Sequence, residues 1–159
     1  MGYGITQDEL DTCKGPRRGV IAFRDTVMFW CPTVTDVGIY ARRPAGRWSR
    51  RSRKTTPANA SLHAVGRAWD AGVPHADDDP AVGNIIAAAL IANWQALGCI
   101  EVIWNAHRWT PEDGYQDYHG PDNHKTHVHA GFNKVSADSD SSHDELIKWF
   151  SWFMFRIKV

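Results

Sequence analysis

Eight histidines stand in a chain of 159 residues, and four of them fall at positions 119, 124, 127 and 129. Histidines gathered in this way suggest metal, because imidazole is a common protein ligand for zinc and its neighbours. Two spacings sharpen the suggestion. The first is Ser61-Leu62-His63-Ala64-Val65-Gly66-Arg67-Ala68-Trp69-Asp70, and the second is His127-Val128-His129. In an extended strand His127 and His129 share one face, while Val128, Ala130 and Phe132 share the other. Two imidazoles then converge on one side of a strand that packs through its apolar side. Gly66 permits a tight turn between His63 and a strand bearing Asp70. Two imidazoles and one carboxylate leave the fourth position of a tetrahedral metal to water, the pattern of a catalytic site. A metal held so lowers the pKa of its water and polarises a carbonyl.

The elements that must position these residues are partly visible. Residues 67–73, RAWDAGV, read as a short strand with Ala68 and Asp70 on one face and Trp69 and Ala71 on the other. Asp77-Asp78-Asp79-Pro80 opens the clearest helix, with Asp79 as cap and Pro80 in the first turn. Val82, Ile85, Ile86, Ala89, Leu90 and Trp94 recur at helical spacing, and Gly98 stops the helix, which is expected over 80–97. Cys99–Trp104 and His127–Phe132 read as apolar strands, and Val37–Tyr40 as a shorter one. Val20–Trp30 fits a strand or a short helix equally. Residues 44–60 read as a loop. Residues 105–123 read as a long loop of the kind that carries function in compact domains.

At this point the residues resemble a known family. SLHAVGRAWD is similar to the SxHxxGxAxD motif of the LAS zinc peptidases, and HVHAGF to their HxH strand. The nearer likeness is to the D-Ala-D-Ala carboxypeptidase-like cell-wall peptidases of phage endolysins, over roughly residues 38–132. VIWNAHRW and GPDNHKTHVHAGF look like the C-terminal half of the actinobacterial phage versions. The resemblance implies a Zn2+ ion held by His63, Asp70 and His129. It implies a catalytic role for His127 beside the metal, assisting the tetrahedral intermediate. Arg43 resembles an upstream arginine that binds the scissile carbonyl oxygen or a substrate carboxylate. One position departs from the pattern. Many relatives carry an Asp or Glu as general base three residues before the last ligand, and here that position is Thr126, which cannot take up a proton near neutral pH. The base would then be His127 or a nearby acid such as Asp122.

The expected fold is α+β, a small antiparallel sheet carrying the zinc ligands and backed by helices. The peptidase domain is expected over residues 1–133, a polar linker over 134–143 and an apolar tail over 144–159. The expected function is hydrolysis of a peptide bond in bacterial peptidoglycan, by an endolysin or a virion-associated lysin. Its expected partner is the peptidoglycan peptide.

Composition agrees with one soluble domain, since 43% of residues are apolar and 23% charged. Lys+Arg and Asp+Glu are equal at 18 each, so no global field draws the chain to nucleic acid. A His-Asn-His type nuclease, suggested by Asp122-Asn123-His124-Lys125-Thr126-His127, leaves SLHAVGRAWD unexplained. A zinc-bearing structural or binding module with little catalysis is the other alternative, and Thr126 favours it. Arg42, Arg43, Arg47, Arg50, Arg51, Arg53 and Lys54 crowd one stretch, which reads as a solvated loop rather than a patch for an acidic polymer. Three cysteines without CxxC spacing exclude a full disulfide framework. MGYGITQDEL lacks the basic start and apolar run of a signal peptide. The protein is therefore expected to be made in the bacterial cytoplasm and to reach the wall after release or from a virion. The tail carries Leu146, Ile147, Trp149, Phe150, Trp152, Phe153, Met154, Phe155, Ile157 and Val159. As a helix from Leu146 to Val159 it would be about 21 Å long, too short to span a bilayer. It is expected to dock on its own domain or a second copy, with a membrane surface or a virion as the other partners.

Overall fold

A computed structural model of the protein describes residues 3–41, 55–120, 122–139, 144 and 148. Arg43, the basic stretch around it and the apolar tail, apart from Asp144 and Lys148, lie outside the described residues.

The fold is α+β. Six strands form one antiparallel sheet in the order β1-β2-β6-β3-β4-β5. They are β1 (Thr35–Gly38), β2 (Ala68–Gly72), β3 (Cys99–Trp104), β4 (His107–Thr110), β5 (Gly114–Asp117) and β6 (His127–Phe132). Each neighbouring pair is antiparallel. The strands expected at 67–73, 99–104 and 127–132 are all present, and they form the middle of the sheet. The strand expected at Val37–Tyr40 lies slightly earlier, at Thr35–Gly38, where it pairs with β2.

Two helices cover one face. The undecided stretch is helix α2 (Arg18–Trp30), which follows the short helix α1 (Gln7–Thr12). Val20, Phe23 and Val27 supply its buried stripe at helical spacing. Phe23 meets Trp69 of β2 edge-on at 5.8 Å and Phe132 of β6 at 4.9 Å between ring centres. Helix α3 (Ala81–Ala92) buries Ile86, Ala87 and Leu90 in the same core. The expected cap is shifted by one residue: Pro80 takes the N-cap position instead of the first turn and has no side chain able to accept, while Asp79 before it accepts from the Ala81 N–H through Oδ1 at 3.0 Å. The single helix expected over 80–97 is divided, however. Asn93 ends α3, and α4 (Trp94–Leu97) continues to the left-handed Gly98. The cause is local: the Asn93 side-chain amide donates to the Ala89 carbonyl at 2.8 Å, competing for the acceptor that closes the last turn.

Two further expectations are corrected. Residues 105–123 are not a structureless loop, since they contain the β4–β5 hairpin. Its strands are four residues long and largely polar, so they carry little apolar periodicity, and pairing with β3 holds them. The start of the expected linker, Lys134–Ala137, is a helical turn, α5, capped by Asn133 and burying Ala137. It is laid against α2 at Gly19, where a Cβ would collide with the carbonyls of Ser136 and Ser139.

A smaller apolar cluster, with Ile5, Leu10, Leu62, Ala64, Val65 and Ala68, brings the N-terminal segment against a 3-10 turn at Leu62–Val65. Gly66 ends that turn at φ 67, and a Cβ there would strike the carbonyl oxygen of Gly15. Gly66→Ala is therefore expected to cost about 2 kcal/mol or more, combining left-handed strain with a backbone clash. Urea denaturation with an unchanged midpoint would contradict this.

Candidate metal centre

The register of β2 against β6 sets Asp70 directly opposite His129. Both side chains leave the same face of the sheet. On the opposite face Trp69, Ala71, Val128 and Ala130 join the core, as the alternation of the two strands requires. His63 arrives from the 3-10 turn. Its Nδ1–H donates to the Ile39 carbonyl at 2.9 Å, which turns Nε2 toward the other two residues. His63 Nε2 lies 3.2 Å from Asp70 Oδ1 and 3.2 Å from His129 Nδ1. His129 Nδ1 lies 2.9 Å from Asp70 Oδ1.

The three residues form a buried group able to hold a metal ion. A tetrahedral ion with ligands at about 2.0–2.1 Å has ligand–ligand edges of about 3.3 Å, close to this triangle. The donor set is two imidazoles and one carboxylate, which suits a transition metal better than calcium or magnesium. The ring nitrogens outside the triangle also have acceptors, as metal-ligating histidines require. For His63 the acceptor is the Ile39 carbonyl. For His129 it is Glu101, whose Oε2 lies 3.3 Å from Nε2.

Electrostatics follow the geometry. Burial would raise Asp70, but hydrogen bonds from His129 and His63 outweigh it and hold the carboxyl far below its ordinary range. Burial would lower His129, but the bonds to Asp70 and Glu101 prevail and raise it to about 10. Burial would likewise raise Glu101, yet contacts with His129, Tyr3 and Arg108 hold it at about 2. In the metal-free chain, protonated His129 therefore contributes stability that is complete below the ordinary histidine value. That contribution is lost as pH rises through about 10.

A family model described as VldE, C-terminal domain, matches residues 13–129. The chain belongs to this family. The VldE C-terminal domain match takes in His63, Asp70 and, at its last residue, His129. Its description names a domain and no reaction. No curated protein and no solved structure gives a significant match.

The VldE C-terminal domain region also brings in residues that sequence reasoning placed loosely. His124 is buried, with its ring centre 5.9 Å from that of His129 and 4.6 Å from that of His127. Its Nδ1–H donates to the Asp122 carbonyl at 2.8 Å. Burial and the neighbouring His129 hold its pKa below the ordinary value. The loop carrying it is fixed by the β3–β4 turn, where Asn105 and Ala106 both adopt positive φ. Asn105 N–H donates to the His124 carbonyl and Ala106 N–H to the Asn123 carbonyl, each at 2.8 Å. His127 is half-buried, with Nδ1 3.4 Å from Thr126 Oγ1. Asp122 is exposed, and its carboxylate accepts the His124 N–H at 3.0 Å, so it braces the loop. Glu101 was missed altogether. The available signal was a charged residue inside the apolar strand CIEVIW.

Proposed function

We propose that this protein is a zinc peptidase acting on a peptide bond of bacterial peptidoglycan. The observation that carries the reading is the buried His63–Asp70–His129 triangle, built from the same two segments that resemble the LAS motifs. Zinc held there would supply Lewis acidity, lowering the pKa of a water and polarising the scissile carbonyl. The chain's own residues supply the rest. Asp70 and His129 are fixed by strand register, so the donors are preorganised rather than assembled on binding. Burial of all three donors excludes bulk water and strengthens each electrostatic contact. His127 takes the proton of the attacking water and returns one to the leaving amine. Arg43 binds the substrate's oxygen or carboxylate in this reading. The protein would act on the wall after release or from a virion, with the tail docking on itself, a virion or a membrane surface.

Digestion of purified peptidoglycan by the zinc-loaded chain, with mass spectrometry of the new termini, tests the proposal. New amino and carboxyl termini at one peptide bond are expected. A zinc-loaded protein that releases none sinks it and leaves the second reading, a zinc-binding module with little catalysis. Thr126 in the usual position of the acid favours that second reading.

His127→Ala is expected to retain one zinc and to lose about a hundredfold to ten-thousandfold in turnover. Thr126→Asp is expected to keep or raise activity. Steady-state hydrolysis with metal analysis checks both; full activity in His127→Ala would place the base elsewhere, first at Asp122.

A further inference from the structure

We infer that Glu101 is a positioning residue for His129, locked in place by Tyr3 and Arg108, so that the N-terminal segment is fastened to the metal centre. The inference rests on the reading of His63, Asp70 and His129 as a metal site.

The two ring nitrogens of His129 point to different neighbours. Nδ1 belongs to the donor triangle, and Nε2 lies 3.3 Å from Glu101 Oε2. An ionised carboxylate can only accept. It therefore calls for the proton on Nε2 and leaves the Nδ1 lone pair toward a cation. Were the ring turned over, carbon Cδ2 would replace Nδ1 in the triangle and carbon Cε1 would face Glu101, so both contacts would be lost. Glu101 lies beyond the ring from the triangle and is no member of the donor group.

Glu101 is itself held. Its Oε1 accepts from Tyr3 Oη and from Arg108 Nε, both at 2.6 Å. One carboxylate oxygen is thus fixed by two short bonds, and the other faces His129. Tyr3 is tied down in turn, its carbonyl accepting from Arg67 Nη2 at 3.1 Å. A buried carboxylate is costly unless it is paired and hydrogen-bonded. Here the pairing draws on residues 98 and 7 positions away, and all of it converges on the far nitrogen of one ligand. A purely structural ion pair with Arg108 would not need the second oxygen turned to His129.

The test is zinc affinity of the full chain, measured by competition with a chromogenic chelator. Cobalt(II) substitution reads coordination geometry in the visible spectrum. Glu101→Leu removes the acceptor and is expected to weaken zinc binding about tenfold to a hundredfold and to alter the cobalt bands. Glu101→Gln keeps an acceptor oxygen without the charge and is expected to restore part of that loss. Tyr3→Phe touches no ligand, removes one bond to Glu101, and is expected to show a smaller loss with an unchanged far-ultraviolet spectrum. If Glu101→Leu does not fold, the other two variants carry the test. Wild-type affinity and cobalt spectrum in both Glu101→Gln and Tyr3→Phe would overturn the inference while the metal site stands. A wild-type chain that takes up no zinc would overturn both.

Discussion

His129→Ala is expected to abolish stoichiometric zinc and to lower peptide hydrolysis by at least about a thousandfold. His63→Ala should behave alike. Each change removes one corner of a triangle whose edges are 2.9–3.2 Å, and nothing else in the donor group can fill it. Under the proposed zinc peptidase reading, the loss would follow from the several kcal/mol that a metal contributes to a charged transition state, at about 1.36 kcal/mol per factor of ten. In the proposed zinc-loaded protein, metal removal should also be felt by the fold, because β2, β6 and the 3-10 turn each carry one of the three candidate donors. With free zinc at about a thousand times its dissociation constant, binding adds about 4 kcal/mol to stability. Calorimetry with and without a chelator reads this directly. Zinc and a proton compete for His129 Nδ1, and the metal-free chain holds that proton up to about pH 10. Zinc affinity should accordingly rise about tenfold per pH unit through neutrality, with one proton released per ion. Metal analysis that finds one zinc in the His63→Ala, His129→Ala double variant would place the site elsewhere.

Trp69→Ala is expected to cost about 3–5 kcal/mol, the range for deleting a buried large aromatic. Trp69 is fully buried beside Asp70, on the opposite face of the same strand. It packs against Phe23, and its Nε1–H donates to Asp36 Oδ1 at 3.0 Å. The change therefore opens a cavity and frees the β1–β2 edge together. Asp36 keeps Arg24 as a partner, at 3.0 Å on Oδ2, so its carboxylate is not left bare. Trp69→Phe should cost far less, because it keeps most of the ring volume and loses chiefly one hydrogen bond. A loss below about 1 kcal/mol in Trp69→Ala, measured by denaturant unfolding, would contradict the packing described.

What the sequence disclosed and what it hid divide along a physical line. Strands β2, β3 and β6 were legible because they lie in the middle of the sheet, where burial along nearly their whole length makes them short, largely apolar runs. The convergence of His63, Asp70 and His129 was legible because each sits in a short motif. The β4–β5 hairpin was not, since its polar four-residue strands depend on pairing with β3. Helix α2 was ambiguous because Val20–Trp30 is apolar at too many positions to show one period. The break at Asn93 depends on one side-chain amide. Glu101 was hidden because its role is set by Tyr3, Arg108 and His129, which no local pattern joins to it. Arg43 lies outside the described residues, and its part in the site stays with the resemblance.

The strand order has a consequence for when the site comes into being. β2 and β3 do not touch each other across the sheet; β6 lies between them, although it comes after both, and no described strand follows it. Until residues 127–132 are available, β2 and β3 each present an open edge to solvent. A growing chain that has already made His63 and Asp70 holds only two of the three donors. The third is delivered by the same strand whose insertion zips the sheet shut. Closing so distant a pairing is slow compared with forming local helices. If the site takes zinc as proposed, metal uptake and closure of the sheet become one event in time, and the rate at which a refolding chain captures zinc should match the rate at which its central strands become protected from hydrogen exchange.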